Sequence, residues 1–210
     1  GSGGGGGASG GGDKSKRGAR AKTTGEAAGG EDRGTKSGLH VKGYSEEVDV
    51  KEVEAMTRMY RDMKSVPTCL RLVAKRSHVH GWGLFVRIAV ERNDMIVEYM
   101  GETVRSAVAD LREKAYEDNK FGSCYLFRLD RHEIVDATKK GSMARFINHS
   151  CEPNAYAKIV TLESGHKKIV FFALRALRVG EEVFYDYKFP IEDDKIPCTC
   201  GAQTCRRFLN

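Results

Sequence analysis

The feature that most constrains this chain is the uneven distribution of its apolar residues. Residues 1–38 hold 15 of the 24 glycines and contain no aromatic residue and no Leu, Ile, Val or Met. Such a segment has too little apolar surface to offset the entropy lost on ordering. The other 172 residues carry all of the Trp, Tyr, Phe, Met and Cys, and a chain of that size buries about 70% of its surface on folding. We therefore predict a Gly-rich tail or linker over 1–38 and one folded domain after it.

Charge and cysteine content indicate the environment. The net charge is +6, and residues 1–38 contribute three of these charges, from seven basic and four acidic side chains. A basic tail fits either loose association with an acidic polymer such as chromatin or a plain solvated segment. There is no run of 18 apolar residues and no secretory leader pattern, so we expect an intracellular protein with no membrane association. In a reducing compartment the six cysteines are expected to be thiols or metal ligands.

Apolar periodicity predicts many short strands. The β-rich runs are 70–74, 95–99, 124–129, 133–135, 155–162, 168–174 and 182–187. A Ser-Gly pair at 164–165 indicates a hairpin turn between two of them. The strands do not alternate regularly with helices, so the pattern predicts a β-rich α+β domain rather than a doubly wound sheet.

Two helices and one helical turn are predicted among the strands. Residues 50–64 show helical spacing, and Pro67 ends that helix. A second helix has Ser106 as its N-cap and one apolar face formed by Val108, Leu111 and Ala115. The turn is predicted over 142–147.

Cysteines near the C-terminus give the strongest local signal. Cys198, Cys200 and Cys205 lie within eight residues and can share one metal ion. A tetrahedral Zn²⁺ needs a fourth ligand, for which Cys151 is the candidate because it lies in another turn-like segment. Unrelated thiols or a redox pair are the alternatives.

The remaining thiols are Cys69 and Cys124. Both are predicted to be core thiols, and Cys124, beside Tyr125, is also a candidate reactive thiol.

Residues 145–154 form a second polar constellation. His149 and Cys151 could act as base and nucleophile, but residues so close in sequence rarely face each other and no oriented acid is evident, so a thiol protease is disfavoured. Asn148 offers a donor and an acceptor, which suits a ligand carrying an amine and a carboxylate, or a turn.

Glycines and aromatic residues complete the candidate site. Two glycines flank Trp82, so the backbone there can approach a ligand closely while the ring stacks on it; a tight hairpin with an exposed Trp is the alternative. Tyrosines at strand ends are further candidates, with ordinary packing as the alternative for each: Tyr99, Tyr125, Tyr185 and Tyr187. Period-2 alternation places the last two on one face of a strand.

Taken together, these motifs resemble the SET-domain protein lysine methyltransferases, and most closely the trithorax/COMPASS branch, which methylates lysine 4 of histone H3. The matching segments are 80–85 (HGWGLF), 98–101 (EYMG), 136–138 (DAT), 145–151 (RFINHSC), 185–189 (YDYKF), 198–201 (CTCG), Cys205 and 208–210 (FLN). The resemblance implies a β-rich SET-domain fold in which 145–150 threads into a pseudoknot, followed by a zinc-bound post-SET tail. It implies these boundaries: tail 1–38, pre-SET helical segment 39–69, SET domain 70–189 and post-SET tail 190–210.

The resemblance also implies roles for individual residues. S-adenosylmethionine is expected to contact His80, Trp82, Tyr125, Asn148, His149 and Thr199. The lysine channel is expected to be lined by Tyr99, Tyr125, Tyr185 and Tyr187, with Tyr187 supplying the main active-site hydroxyl. Trp82 replaces an Arg common in the mixed-lineage-leukaemia proteins, so stacking on the cofactor survives and a charged contact is lost.

Partners and location follow from the same resemblance. A nuclear, chromatin-associated enzyme is implied, with the histone H3 tail or nucleosome as substrate and a stimulating core that includes a WD-repeat propeller and a SPRY-containing subunit. Residues 18–21 (GARA) resemble the Ala-Arg-Ala peptide that binds the propeller channel, with a plain solvated tail as the alternative. A catalytically silent SET-like scaffold and a SET enzyme for another lysine are the alternative functions; the joint presence of Asn148, His149 and Tyr187 favours the enzyme.

Overall fold

The computed structural model describes residues 49–119, 123–189, 191 and 193–210. The predicted tail over 1–38, including the Ala-Arg-Ala peptide, lies outside the described residues. The helices are α1 (Val50–Ser65), α2 (Thr68–Arg71) and α3 (Ser106–Asp118), with a 3₁₀ turn at Met143–Phe146. Among these described helices, none is both long enough and apolar enough to cross a membrane.

Ten short strands carry most of the domain. They are β1 (Leu72–Arg76), β2 (Trp82–Val86), β3 (Met95–Glu98), β4 (Glu102–Arg105), β5 (Leu126–Arg128), β6 (Glu133–Asp136), β7 (Asn148–His149), β8 (Ala155–Thr161), β9 (Lys167–Ala173) and β10 (Phe184–Tyr185). They form small sheets with the orders β1-β2, β3-β9-β8, β4-β6-β5 and β7-β10. The β-rich α+β prediction is therefore confirmed.

Two strand pairings, β8 with β9 and β7 with β10, position the motifs in the second half of the domain. The hairpin between β8 and β9 turns at Gly165, whose φ of 77° is the left-handed value that glycine adopts without strain. β7 pairs with β10 in parallel, Asn148 opposite Phe184 and His149 opposite Tyr185. This pairing brings the two motifs together, as the expected pseudoknot requires.

The largest of three apolar clusters contains residues from most of the sheets and packs them together. Leu84, Ile96, Phe127 and Phe171 are each at most 1% exposed and belong to the same apolar cluster. β9 is the middle strand of its sheet, and its residues 169–173 are all buried. Such an apolar run is expected of a strand covered on both faces.

The sequence prediction for the face of α3 was wrong. Leu111 is 72% exposed and Val108 39% exposed, while Ala109 and Tyr116 are buried. Tyr116 donates to the buried Asp136 carboxylate at 2.8 Å, and Asp136 lies on β6. This buried polar contact selects the inward face, and apolar spacing alone does not encode it. Ser106 is the first helical residue, and Arg105 holds the N-cap position.

Four of the seven predicted strands match the observed strands to within one residue at each end, and the other three differ more. The runs predicted over 124–129 and 182–187 shorten to Leu126–Arg128 and Phe184–Tyr185, and the first strand begins two residues late because α2 occupies Thr68–Arg71. β2, β4 and β7 were not predicted. β2 contains Gly83, which a strand search reads as a break.

The two remaining thiols differ. Cys69 is exposed, so its assignment as a core thiol was wrong; Cys124 is buried as predicted. Burial raises the pKa of the Cys124 thiol to about 11, with nearby carboxylates acting in the same direction. Cys124 therefore stays protonated at neutral pH, which argues against a reactive thiol.

A buried carboxylate attaches α1 to the domain. Glu98 on β3 is 6% exposed and accepts from the Tyr60 hydroxyl at 2.7 Å and from Lys64 at 2.9 Å. Lys168 of β9 lies 3.3 Å away. The helix that precedes the sheets is thus held by a charged contact as well as by apolar packing.

Acidification tests this contact. Burial pushes the pKa of Glu98 up, but hydrogen bonds from Lys64 and Tyr60 outweigh it and hold the pKa below its usual value of 4.5. Such a carboxylate stabilises the fold above its unfolded-state pKa, and the contribution is lost as pH falls through the native pKa. We expect Glu98→Gln to lower the free energy of unfolding at pH 7 by about 1–3 kcal/mol. We also expect the free energy of unfolding of this variant to fall less steeply than that of the wild type below pH 4.5. Thermal melts from pH 3 to pH 7, with the exposed Glu54→Gln as control, measure this; an unchanged pH profile contradicts it.

Candidate functional site

A single cavity gathers the residues that the motifs singled out. Its volume is about 440 Å³, within the range of small-molecule sites. The nine predicted cofactor and channel residues all line it: His80, Trp82, Tyr99, Tyr125, Asn148, His149, Tyr185, Tyr187 and Thr199. The chain segments that supply them are up to 120 positions apart, so the fold creates a site that no local stretch contains.

Tyrosines form one wall. The Tyr185 ring lies 4.8 Å from Tyr187 and 4.8 Å from Phe171, centroid to centroid. The Tyr187 hydroxyl donates to the Ile147 carbonyl at 2.9 Å, so that hydroxyl has a fixed direction. Burial raises the pKa values of Tyr99, Tyr185 and Tyr187, each with a smaller contribution from a neighbouring tyrosine. These hydroxyls are therefore protonated at neutral pH and can donate hydrogen bonds, but they do not serve as bases.

Asn148 uses its amide within the protein. Its Nδ2 lies 3.1 Å from the His80 carbonyl oxygen, 2.9 Å from that of Trp82 and 3.0 Å from Glu182 Oε1. The sequence suggested that Asn148 holds a ligand directly. The geometry adds a different task, because the side chain fixes the backbone of the 80–82 turn.

His149 and Cys151 face each other, contrary to the expectation from their spacing. His149 Nε2 lies 3.4 Å from Cys151 Sγ, and Nδ1 accepts from the Tyr187 N–H at 3.2 Å. That acceptance assigns the proton to Nε2. Burial lowers the pKa of His149 to about 4, although Asp186 opposes this, so the ring is neutral at pH 7. With its Nε2 proton directed at sulfur, His149 is not placed to take a proton from Cys151, which is a second reason to disfavour a thiol protease.

The four predicted metal ligands form one cluster. The sulfur atoms of Cys151, Cys198, Cys200 and Cys205 all lie within 4.8 Å of one another. Cys151 Sγ is 3.9 Å from Cys198 Sγ and 4.0 Å from Cys205 Sγ. A tetrahedron with Zn–S bonds of 2.3 Å has sulfur–sulfur edges of about 3.8 Å. The cluster therefore fits a tetrahedral metal site and closes the C-terminal tail onto the domain, which argues against unrelated thiols.

Two arginines were not assigned roles from the sequence: Arg145 lines the cavity, and Arg76 contacts the lining residue Trp82. The Arg76 guanidinium lies 4.9 Å from the Trp82 ring centroid. Arg76 therefore supplies a positive charge close to position 82, where the Trp side chain carries none. Arg145 donates to the Ala137 carbonyl at 2.9 Å and lies over the Phe146 ring at 4.9 Å. Arg145 belongs to the 145–151 motif, and its place in that motif was the only sequence feature that could have indicated a role. Arg76 had no local signal, because its partner is reached only across the β1–β2 pair.

Comparisons with known proteins agree with this geometry. The family profile of the SET domain matches residues 81–188, just over half of the chain. The chain is 59% identical over 135 residues to the histone-lysine N-methyltransferase set-2 of Caenorhabditis elegans, 55% to SETD1B of Homo sapiens and 53% to trithorax of Drosophila virilis. Each match covers 64% of this chain but only 9%, 7% and 4% of the respective relative.

The named relatives belong to the branch that the motifs resembled, and the matched region includes most of the cavity wall. Residues 148, 149, 185 and 187, which form its centre, all lie inside the matched segment. A β-rich domain with this paired-motif cavity and this profile match establishes that the chain belongs to the SET-domain family.

Proposed function

We propose that this chain is a protein-lysine methyltransferase that transfers methyl groups from S-adenosylmethionine to a lysine of a histone. The observation that carries the proposal is the single cavity in which a tyrosine wall meets the turn over 80–82 and the cysteine-anchored tail. The names of the SETD1, set-2 and trithorax relatives support the reaction and the substrate class.

Residue roles are proposed as follows. The residues proposed to hold the cofactor are His80, Trp82, Tyr125, Asn148, His149 and Thr199. The carbonyl groups of His80 and Trp82, held by Asn148, offer acceptors for an amine. When bound, S-adenosylmethionine supplies a methyl group activated by a positively charged sulfur. The partly exposed Trp82 ring supplies an aromatic face at the mouth of the cavity.

The tyrosine wall addresses the main chemical obstacle, which is the charge of the substrate lysine. A free lysine has a pKa of about 10.4, so removing its proton near pH 7.5 costs roughly 4 kcal/mol. A channel lined by the buried Tyr99 and Tyr185 and the partly buried Tyr187 disfavours the ammonium through desolvation. Because the tyrosines remain protonated, the lysine proton leaves to solvent and not to a protein base. These side chains then act by positioning the neutral amine.

One structural Zn²⁺ is proposed at the cysteine cluster. Cys198 and Cys200 line the cavity as well as the cluster, so this metal would shape the wall that carries Thr199. Neutral His149 is placed to donate to the Cys151 thiolate, an outer contact common around zinc ligands.

The finer assignment is lysine 4 of histone H3, with this chain as the catalytic subunit of a COMPASS-like complex in the nucleus. It rests on the resemblance to that branch and on the names of the relatives. The WD-repeat propeller and SPRY-containing subunits are proposed partners, with the peptide around Arg20 as the propeller ligand. The basic tail is compatible with a chromatin location.

Tritium transfer from labelled S-adenosylmethionine tests substrate and site together. We expect label on histone H3, stimulation by the core subunits, and loss of label when lysine 4 of histone H3 is replaced by arginine. Undiminished label on the substituted histone would reject lysine 4 and leave methyl transfer standing. No label on any histone, even with partner subunits, would support the scaffold instead.

The number of methyl groups added is predicted to depend on Tyr185. Its buried ring packs between Phe171 and Tyr187, which leaves the hydroxyl to occupy channel space or hold a water molecule. Each added methyl group needs about the volume of one water, roughly 30 Å³. We expect monomethylation to be fast and later steps slow, and Tyr185→Phe to shift products toward di- and trimethyl-lysine with little loss of the first transfer. Mass spectrometry over a time course measures this; an unchanged product ratio would remove the hydroxyl as the limit.

A further inference from the structure

A buried carboxylate lies behind the cofactor turn, in a position that no motif assigned. Glu182 precedes β10 and is 8% exposed. An isolated antiparallel β-bridge pairs its backbone with that of Phe85 in β2. This pairing places Glu182 close to the turn over 80–82. It does not line the cavity itself, but it contacts residues that do.

One carboxylate oxygen orients Asn148. Asn148 Nδ2 donates to Glu182 Oε1 at 3.0 Å, and the same nitrogen reaches the carbonyl oxygens of His80 and Trp82 at 3.1 and 2.9 Å. An amide whose nitrogen faces a carboxylate cannot flip without placing its oxygen against that charge. Glu182 therefore fixes which way Asn148 points.

The other oxygen holds the start of the loop. Ser77 Oγ donates to Glu182 Oε2 at 3.0 Å and accepts from the Val79 N–H at 3.0 Å. The Ser77 N–H donates to the Gly81 carbonyl at 2.9 Å. The carboxylate thus binds both ends of the 77–82 loop, one through Ser77 and the other through Asn148.

The Glu182 carboxylate lies close to the turn and is surrounded by neutral partners. Within the described part of the chain its side-chain partners are the neutral donors of Ser77 and Asn148. A Cβ at Gly83 would lie 2.0 Å from Oε1, so the carboxylate packs directly against the backbone there. A buried anion held by neutral donors favours a cation bound nearby.

We propose that Glu182 is a positioning residue of the cofactor site, which fixes the 80–82 turn through Asn148 and Ser77 and supplies a negative charge that favours a sulfonium ligand. This inference rests on the proposed function, because it concerns the binding of S-adenosylmethionine. It predicts an effect on cofactor affinity that depends on ligand charge, which a merely structural residue would not produce.

Isothermal titration with two ligands tests it. S-adenosylhomocysteine lacks the sulfonium charge and otherwise matches S-adenosylmethionine closely. Glu182→Gln keeps the shape of the side chain and removes the charge, so we expect the Kd for S-adenosylmethionine to rise about tenfold through the lost attraction between carboxylate and sulfonium. The Kd for S-adenosylhomocysteine is expected to rise about threefold or less. Ser77→Ala keeps the charge and frees the loop, so both ligands should weaken by a similar factor.

The neighbouring carboxylate provides the matched control. Glu181 is paired with Arg175 and accepts from the Arg178 N–H at 3.0 Å, so Glu181→Gln should leave both affinities within about twofold. Equal weakening of the two ligands in Glu182→Gln, or no weakening, would overturn the positioning role while wild-type binding upholds the proposed function. Wild-type protein that binds neither ligand would overturn the proposed function and this inference with it. If Glu182→Gln does not fold, unchanged affinities in Ser77→Ala would overturn the loop contact.

Discussion

Cys200→Ser is expected to abolish binding of the proposed Zn²⁺ and to reduce the proposed methyl transfer at least about 100-fold. Structural zinc contributes apparent free energies of about 10 to 16 kcal/mol in small peptides, so losing a ligand removes the main constraint on the C-terminal tail. That tail also forms part of the cavity, since Cys198, Thr199 and Leu209 line it. The loss should therefore appear both in stability and in cofactor binding.

Elemental analysis and a methyl-transfer assay measure the two effects. Cys69→Ser is the control, because Cys69 is exposed and outside the cluster; it should keep one metal ion per chain and full activity. Active wild-type protein without stoichiometric metal, or a Cys200→Ser variant with normal activity, would contradict the structural role of the metal.

Gly83→Ala is expected to destabilise the domain by about 3 kcal/mol and to abolish tight cofactor binding. The added Cβ would overlap Glu182 Oε1 and Cδ. Cβ atoms in proteins essentially never approach other atoms this closely. The buried carboxylate would have to move and would lose Asn148 or Ser77 as a partner. Overpacking of a core typically costs 1–3 kcal/mol, and an unpaired buried acceptor adds to that.

Gly81→Ala separates crowding from backbone strain. Gly81 has a φ of 50°, but a Cβ there would meet nothing within 4 Å, so the substitution should cost only about 1 kcal/mol. Thermal melts and titration with S-adenosylmethionine compare the two variants. A Gly83→Ala protein as stable as Gly81→Ala would show that the carboxylate has room to move.

Short segments of the sequence singled out Tyr187, His149 and the four cysteines as candidates. The structure places Tyr187 and His149 in one cavity and brings the four sulfur atoms together in one cluster beside it. The sequence predicted this arrangement only through the family resemblance. Composition and periodicity gave the fold class, since alternating apolar residues report which strands are half-buried.

Besides three short strands and the exposure of Cys69, the features that the sequence did not predict are long-range polar contacts. The inward face of α3 is chosen by Tyr116 and Asp136, which lie 20 positions apart. The link from Ser77 to Glu182 spans 105 positions. Apolar periodicity is silent about such pairs, because a buried hydrogen bond between distant residues leaves no local pattern. For the same reason Glu182 was predicted only as the first residue of the strand over 182–187 and was given no role.

Tyr187 is proposed to lie where the methyl group is transferred. Intact-mass spectrometry of an H3 N-terminal peptide tests this role. The Tyr187 hydroxyl donates to the Ile147 carbonyl at 2.9 Å, and Tyr187→Phe removes that oriented group while keeping the ring. Loss of one preorganised polar group from an active site typically costs about 10²–10³ in rate, so the wild-type protein should add about 14 Da to the peptide and Tyr187→Phe almost nothing. Tyr156→Phe, which alters a ring stacked on Phe172 outside the cavity, should match the wild type. Equal mass gain in Tyr187→Phe and wild type, or no gain by the wild type with its partner subunits present, would contradict the account.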